Sequence, residues 1–270
     1  MNALILVDLQ IDFLPGGALA VPHGDEVIPL ADELQQRFGL VVATKDWHPS
    51  DHGSFAANHK GKKPGDRIIL DGIEQILWPV HCVQNTHGAE FAPLFDTSRI
   101  AHVFYKGTER NIDSYSTFFD NAHRRHTGLA HYLEKRSIKE IYLMGLALDY
   151  CVKYSALLAR QLGLNTNVIV DGCRGIELKP GDIDRALDEM KRAGAVLLKS
   201  SDLQPESLTP AAAISDVGYK SLCASKRVWR GWNAPNPIWN RRIRSRRGDQ
   251  RLASVRPRQL RRKPQRKEAR

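Results

Sequence analysis

Gly145-Leu-Ala-Leu-Asp-Tyr-Cys151-Val-Lys-Tyr-Ser155 is the stretch on which the reading of this chain turns. The run before it, Glu140-Ile-Tyr-Leu-Met-Gly145, is short and almost wholly apolar, as in a strand buried on both faces of a parallel sheet. After it, Val152, Ala156 and Ala159 fall at helical spacing and Gly163 marks a stop, so the pattern predicts a helix over 151–162. Cys151 thus stands where a strand gives way to a helix. Unpaired backbone N–H groups and a positive dipole there favour a thiolate and lower the thiol pKa. The same N–H groups suit an oxyanion formed when the thiolate attacks a carbonyl. A buried structural cysteine is the plainer alternative. Against it stands the position, since open α/β sheets bind ligands at the carboxyl ends of their strands.

Working outward, the same alternation recurs. Strands are expected over 2–9, 40–44, 100–105, 167–170 and 195–199, with helices over 24–38, 120–135 and 181–193. Strands alternating with helices imply an α/β fold, a parallel sheet covered on both faces. Pro15-Gly-Gly17 breaks the chain after the first strand, and residues 46–72 read as a long polar loop. A connection running from 46 to 99 exceeds what simple linkage needs, which points to function.

Three strands end in useful chemistry: Asp8, Lys106 and the Cys151 turn. Strand ends of a parallel sheet lie along one edge, so the three side chains can converge. An aspartate near a thiol can take its proton, and a lysine near both can hold the resulting anion. Taken singly, Asp8 also fits a turn residue and Lys106 a solvated lysine.

All ten histidines fall between 23 and 131. Asp46-Trp-His48 and Asp51-His52 lie close together, and Trp78-Pro-Val-His81 supplies a further imidazole. One carboxylate and three imidazoles suit zinc, iron or manganese; scattered surface histidines are the alternative.

Charge divides the chain. Residues 221–270 hold 17 Lys/Arg against 2 Asp/Glu, leaving 23 against 28 in residues 1–220. A mildly acidic domain over 1–202, a linker over 203–220 and a basic, disordered tail over 221–270 are expected. Trp229, Trp232 and Trp239 among the basic residues suit non-specific binding to nucleic acid; an extension without a role is the blander reading. The longest apolar run, 141–148, is too short to span a bilayer. Four cysteines, 82, 151, 173 and 223, do not make a disulfide framework, so a reducing cytoplasm is expected.

Taken in order, Val7-Asp8-Leu-Gln-Ile-Asp12-Phe-Leu-Pro-Gly-Gly17, Asp46-Trp-His48, Asp51-His52-Gly-Ser-Phe55, Trp78-Pro-Val-His81, Phe104-Tyr-Lys106-Gly, Asp113-Ser-Tyr-Ser116 and Gly145 to Lys153 closely resemble the bacterial nicotinamidases, isochorismatase-like cysteine hydrolases. The resemblance covers about residues 1–202. It implies a three-layer α/β/α fold around a six-stranded parallel sheet, and conversion of nicotinamide to nicotinate and ammonia in NAD salvage, with pyrazinamide also hydrolysed. By the same resemblance Asp8, Lys106 and Cys151 form the catalytic triad. The N–H groups of Ala147 and Cys151 form the oxyanion hole, with a cis peptide between Leu146 and Ala147. Asp46, His48, His52 and His81 bind one divalent transition metal that orients the pyridine ring. Phe13, Trp78 and Tyr115 are candidates to enclose that ring. The family usually has threonine where this chain has Leu148, which alters hydrogen bonding beside the nucleophile. The alternatives are another isochorismatase-like amidohydrolase, or a nucleic-acid-binding protein acting through its tail.

Overall fold

The computed structural model describes residues 1–203; the expected linker and basic tail beyond, with Cys223, lie outside the described residues. Within them the apolar runs form β1 (Asn2–Val7), β2 (Val41–Asp46), β5 (Ile100–Lys106), β6 (Glu140–Leu146), β7 (Asn165–Arg174) and β8 (Val196–Leu198). These six make one parallel sheet in the order β5-β2-β1-β6-β7-β8. β1 is buried at every residue, which is why it reads as a continuous apolar run and not as an alternation.

Helix α1 (Val27–Gln35) connects β1 to β2, α2 (Leu129–Lys135) precedes β6, α3 (Lys153–Gln161) connects β6 to β7, and α4 (Asp182–Arg192) leads to β8. The β1-to-β2 crossover and the crossovers after β6 run in opposite directions along the sheet. Right-handed connections then place α1 on one face and α3 and α4 on the other, which gives the three layers. The direction reverses between β1 and β6, and a crevice opens at such a reversal, outside the carboxyl ends of the strands. β1 and β6 approach closely there: a Cβ at Gly145 would stand 2.1 Å from the Val7 carbonyl oxygen, so only glycine fits.

Two expectations need correction. Residues 120–128 are not helical, because the Asp120 carboxylate accepts the N–H groups of Ala122, Arg124 and Arg125 and ties the segment into a turn. Nor is 46–72 all loop. β3 (Arg67–Leu70) and β4 (Ile73–Ile76) form an antiparallel hairpin. Its two-residue Asp71-Gly72 turn has φ of 47° and 88°, which suits the twist of paired strands. Among the described residues no helix is long and apolar enough to cross a membrane.

Candidate active site

Four neighbouring strands deliver the site. Across the sheet, β5 and β2 end in Lys106 and Asp46, β1 is followed by Asp8, and β6 runs into the turn bearing Cys151. All four side chains are buried. Lys106 Nζ lies 2.8 Å from Asp8 Oδ2, pairs with Asp46 Oδ1, and donates to Cys151 Sγ at 3.3 Å. Thr44 steadies Asp8, donating to its Oδ1 at 2.7 Å. The three side chains that strand position alone suggested do converge.

The electrostatics differ from the expectation for a helix N-terminus. Burial pushes the Cys151 thiol well above its ordinary pKa; Lys106 pulls it down without cancelling this, and Asp8 and Asp46 push it further up. The turn itself is a single π-helical turn, Leu148–Val152, and α3 begins only at Lys153. The resting thiol therefore keeps its proton, and its activation needs a base. Burial also raises the Asp8 carboxyl, with Lys106 opposing and Asp46 reinforcing the shift. A carboxylate raised in this way is a stronger base than a solvated one. Burial pulls the Lys106 ammonium toward a lower pKa, but Asp46 and Asp8 outweigh it and hold the ammonium charged.

Beside this trio lies a second cluster. His48 Nδ1 donates to the Gly107 carbonyl and His81 Nδ1 to the Pro79 carbonyl, each at 2.8 Å. Those bonds fix the tautomers and leave both Nε2 atoms free to act as ligands. They stand 3.7 and 3.9 Å from Asp46 Oδ2, and His48 Nε2 is buried with no hydrogen-bond partner. Asp46, His48 and His81 offer donor atoms within 4.8 Å of one another. A buried imidazole nitrogen 3.7 Å from a carboxylate, with no hydrogen bond between them, leaves room for a cation that both can bind, and the nitrogen–oxygen donor set suits zinc or a similar divalent ion. The residues fit such an ion. His52, the fourth expected ligand, is not part of this group. Its ring lies 4.3 Å from that of His48, but its nitrogens engage Ser54 Oγ and the Ile112 carbonyl, and it clusters with His48 and Asp113.

A pocket of about 330 Å³, counting its open mouth, joins the two clusters and reaches Asp46, His81 and Cys151. Phe13, Trp78 and Tyr115, the expected ring contacts, all line it. Trp78 Nε1 donates to Tyr115 Oη at 3.1 Å, and Gln75 on β4 holds both Tyr115 Oη and Asp113. Ala147 also lines the pocket, and the peptide bond before it is cis, as the resemblance implies. Sequence reasoning missed four wall residues: Leu19, Asp113, Tyr150 and Ile176. Tyr150 adjoins Cys151 and Asp113 opens a quoted motif, so both were within reach. Nothing local to Leu19 or Ile176 signalled a pocket.

Comparison with known proteins agrees with this geometry. The isochorismatase domain model matches residues 2–202. The chain belongs to the isochorismatase family. Within that family it is 50% identical over 205 residues to the nicotinamidase of Escherichia coli strain K12, covering 74% of this chain and 96% of the relative. A solved nicotinamidase/pyrazinamidase from Acinetobacter baumanii superposes with a TM-score of 0.73 at 45% identity, over 75% of this chain and 98% of that one. The pyrazinamidase of Pyrococcus horikoshii, solved in complex with zinc, gives 0.61 at 40% identity, over 73% and 98%. In this member of the isochorismatase family Leu148 is buried in the core at the start of the nucleophile turn.

Proposed function

We propose that this chain is an amidohydrolase that converts nicotinamide to nicotinate and ammonia, and that it also hydrolyses pyrazinamide. The observation that carries this reading is the pocket itself: an aromatic-walled cavity lined on one side by the Cys151 thiol, which Lys106 and Asp8 back, and on the other by Asp46 and His81 of the Asp-His-His cluster.

Asp8 takes the thiol proton, and Cys151 Sγ bonds to the carboxamide carbon. The backbone N–H groups of Ala147 and Cys151 hold the oxyanion. Asp8 returns the proton to the nitrogen as the C–N bond breaks, and ammonia leaves. Asp8 then deprotonates a water that cleaves the thioester, releasing nicotinate and restoring the thiol. Lys106 keeps the two carboxylates and the reacting sulfur together and offsets their charge. Phe13, Trp78 and Tyr115 enclose the ring. Asp46, His48 and His81, with His52 beside them, would hold one divalent ion, zinc, iron or manganese, whose chemistry is to bind the ring nitrogen and orient the amide.

Ammonia release from nicotinamide, set against benzamide and short aliphatic amides, tests the assignment. Strong preference for the pyridine amide is expected; equal rates on all of them would overturn it. The purified protein should carry about one divalent metal per chain. His48→Ala and His81→Ala should lose that metal and raise KM for nicotinamide, with elemental analysis and initial rates as the measurements. Full activity in a metal-free preparation would defeat this part of the reading.

Every residue in this scheme lies between Asp8 and Cys151, within the stretch matched by the family. Chemistry is therefore assigned to 1–202, with 203–220 as a linker and 221–270 as a basic appendage. Truncation after Leu203 should leave nicotinamide hydrolysis within roughly twofold at moderate salt, where long-range charge effects are screened. A tenfold loss in a folded truncated protein would show that the appendage shapes the site.

A further inference from the structure

The segment that follows β1 carries more than the catalytic aspartate. Gln10 is fully buried, yet its side chain touches neither the pocket nor the reacting groups. It grips the backbone of Asp46 from both sides: Oε1 accepts the Asp46 N–H at 2.8 Å, and Nε2 donates to the Asp46 carbonyl at 2.8 Å. Nε2 also donates to the Ala89 carbonyl at 3.0 Å.

Two residues on, the Asp12 carboxylate does the equivalent for the opposite ligand. Its Oδ2 accepts the N–H of Cys82, the residue next to His81, at 2.7 Å, and its Oδ1 accepts from Ala18 N at 3.3 Å. Cys82 sits at φ 45°, a backbone state that needs holding, and its carbonyl in turn accepts the N–H of His48 at 3.0 Å. One short segment thus fastens the backbone of Asp46 directly and those of His81 and His48 through Cys82.

Both grips share a support, the turn His87–Ala89. Ala89 receives the Gln10 bond, and Gly88 lies flush against Asp12. A Cβ at Gly88 would stand 2.1 Å from Asp12 Oδ2, so any larger residue would drive the carboxylate away from Cys82.

We propose that Gln10 and Asp12 are positioning residues that set the spacing of Asp46, His48 and His81 for a divalent cation. Asp46 comes from β2 and His81 from a loop reached after the β3–β4 hairpin, so no single element fixes the distance between them. Groups that orient ligands without touching the ion typically change metal affinity 10–100-fold. This inference rests on the metal reading given above.

The test uses the full chain stripped of metal and titrated with cobalt(II) alone, whose visible absorption reports the ligand arrangement independently of turnover. Gln10→Ala, Asp12→Ala and Gly88→Ala should each bind about 10–100-fold more weakly, with an altered absorption band. Asp12→Asn keeps an acceptor oxygen for Cys82 N and should recover most of the affinity. If Gln10→Ala does not fold, Gln10→Glu serves in its place. It keeps the acceptor for Asp46 N but sets an oxygen against the Asp46 and Ala89 carbonyls, and a loss at least as large with the same spectral change is expected.

Folded variants that bind cobalt(II) within twofold of the parent, with an unchanged band, would overturn the proposal. With the parent binding cobalt(II) and His48→Ala failing to, such unchanged variants would remove the positioning role alone and leave the metal reading standing. Should the parent itself take up none, the metal reading fails and the positioning role falls with it.

Discussion

Cys151→Ala is expected to lower nicotinamide turnover by on the order of 10⁴-fold or more while leaving the fold intact. The thiol is small and buried, and alanine removes one sulfur atom from a side chain that accepts a hydrogen bond from Lys106. Among the described residues lining the pocket no other nucleophile stands in its place: Asp46 is engaged with Lys106, as is Asp8 beside it, and the tyrosines of the pocket wall are held protonated by burial. Asp8→Asn should come close to the same loss, because the raised Cys151 thiol then has no base to accept its proton. Steady-state rates on both variants, with circular dichroism to verify folding, decide the matter. A Cys151→Ala protein of undiminished activity would remove the covalent mechanism altogether.

Lys106→Met should be damaging in two independent ways. Methionine matches the length of the stem but leaves two buried carboxylates, Asp8 and Asp46, without their shared cation. Removing one partner from a buried ion pair typically costs about 3–5 kcal/mol, far more than the pair itself contributes relative to an apolar substitute. Urea denaturation should therefore show a clearly lowered midpoint for the metal-stripped protein. Turnover should fall by about 10²–10³-fold or more, as expected when a fixed charge beside the reacting atoms is lost. Stability and activity both close to wild type would mean that the lysine holds nothing together.

Much of the fold was legible because burial leaves a strong mark on strands. After their first residues, Asn2 and Glu140, β1 and β6 are almost wholly apolar, and a strand of that kind has few places to go other than the middle of a parallel sheet. Asp8, Lys106 and Cys151 were legible for the same reason, since each stands where an apolar run stops. The β3–β4 hairpin was missed although it announces itself. Leu70-Asp-Gly-Ile73 is a two-residue turn signal, but strands of four residues, with only Gln75 of the eight buried, give too short a pattern to stand out from the polar loop before them. Helix α2 was begun too early because Asp120 spends its carboxylate on three backbone N–H groups, a choice that hydrophobic spacing does not register. The depressed thiol pKa failed for a different reason. It weighed the dipole of a helix end and left out the desolvation of a buried sulfur, which is the largest influence on this thiol.

The sheet order has a bearing on how the chain reaches this state. Of the six strands of the sheet β1 is the first to leave the ribosome, yet it ends as a central one, and Asn2 must find Glu140 to complete its second edge. Until then Asn2-Ala-Leu-Ile-Leu-Val7 offers an apolar strand with one side unpaired, a sticky surface in any crowded setting. Pairing across so much sequence also slows folding, since the intervening chain must be closed before the contact is rewarded. Folding kinetics of this protein should accordingly be governed by the β1–β6 meeting. Fragments that end before Glu140 should aggregate rather than wait.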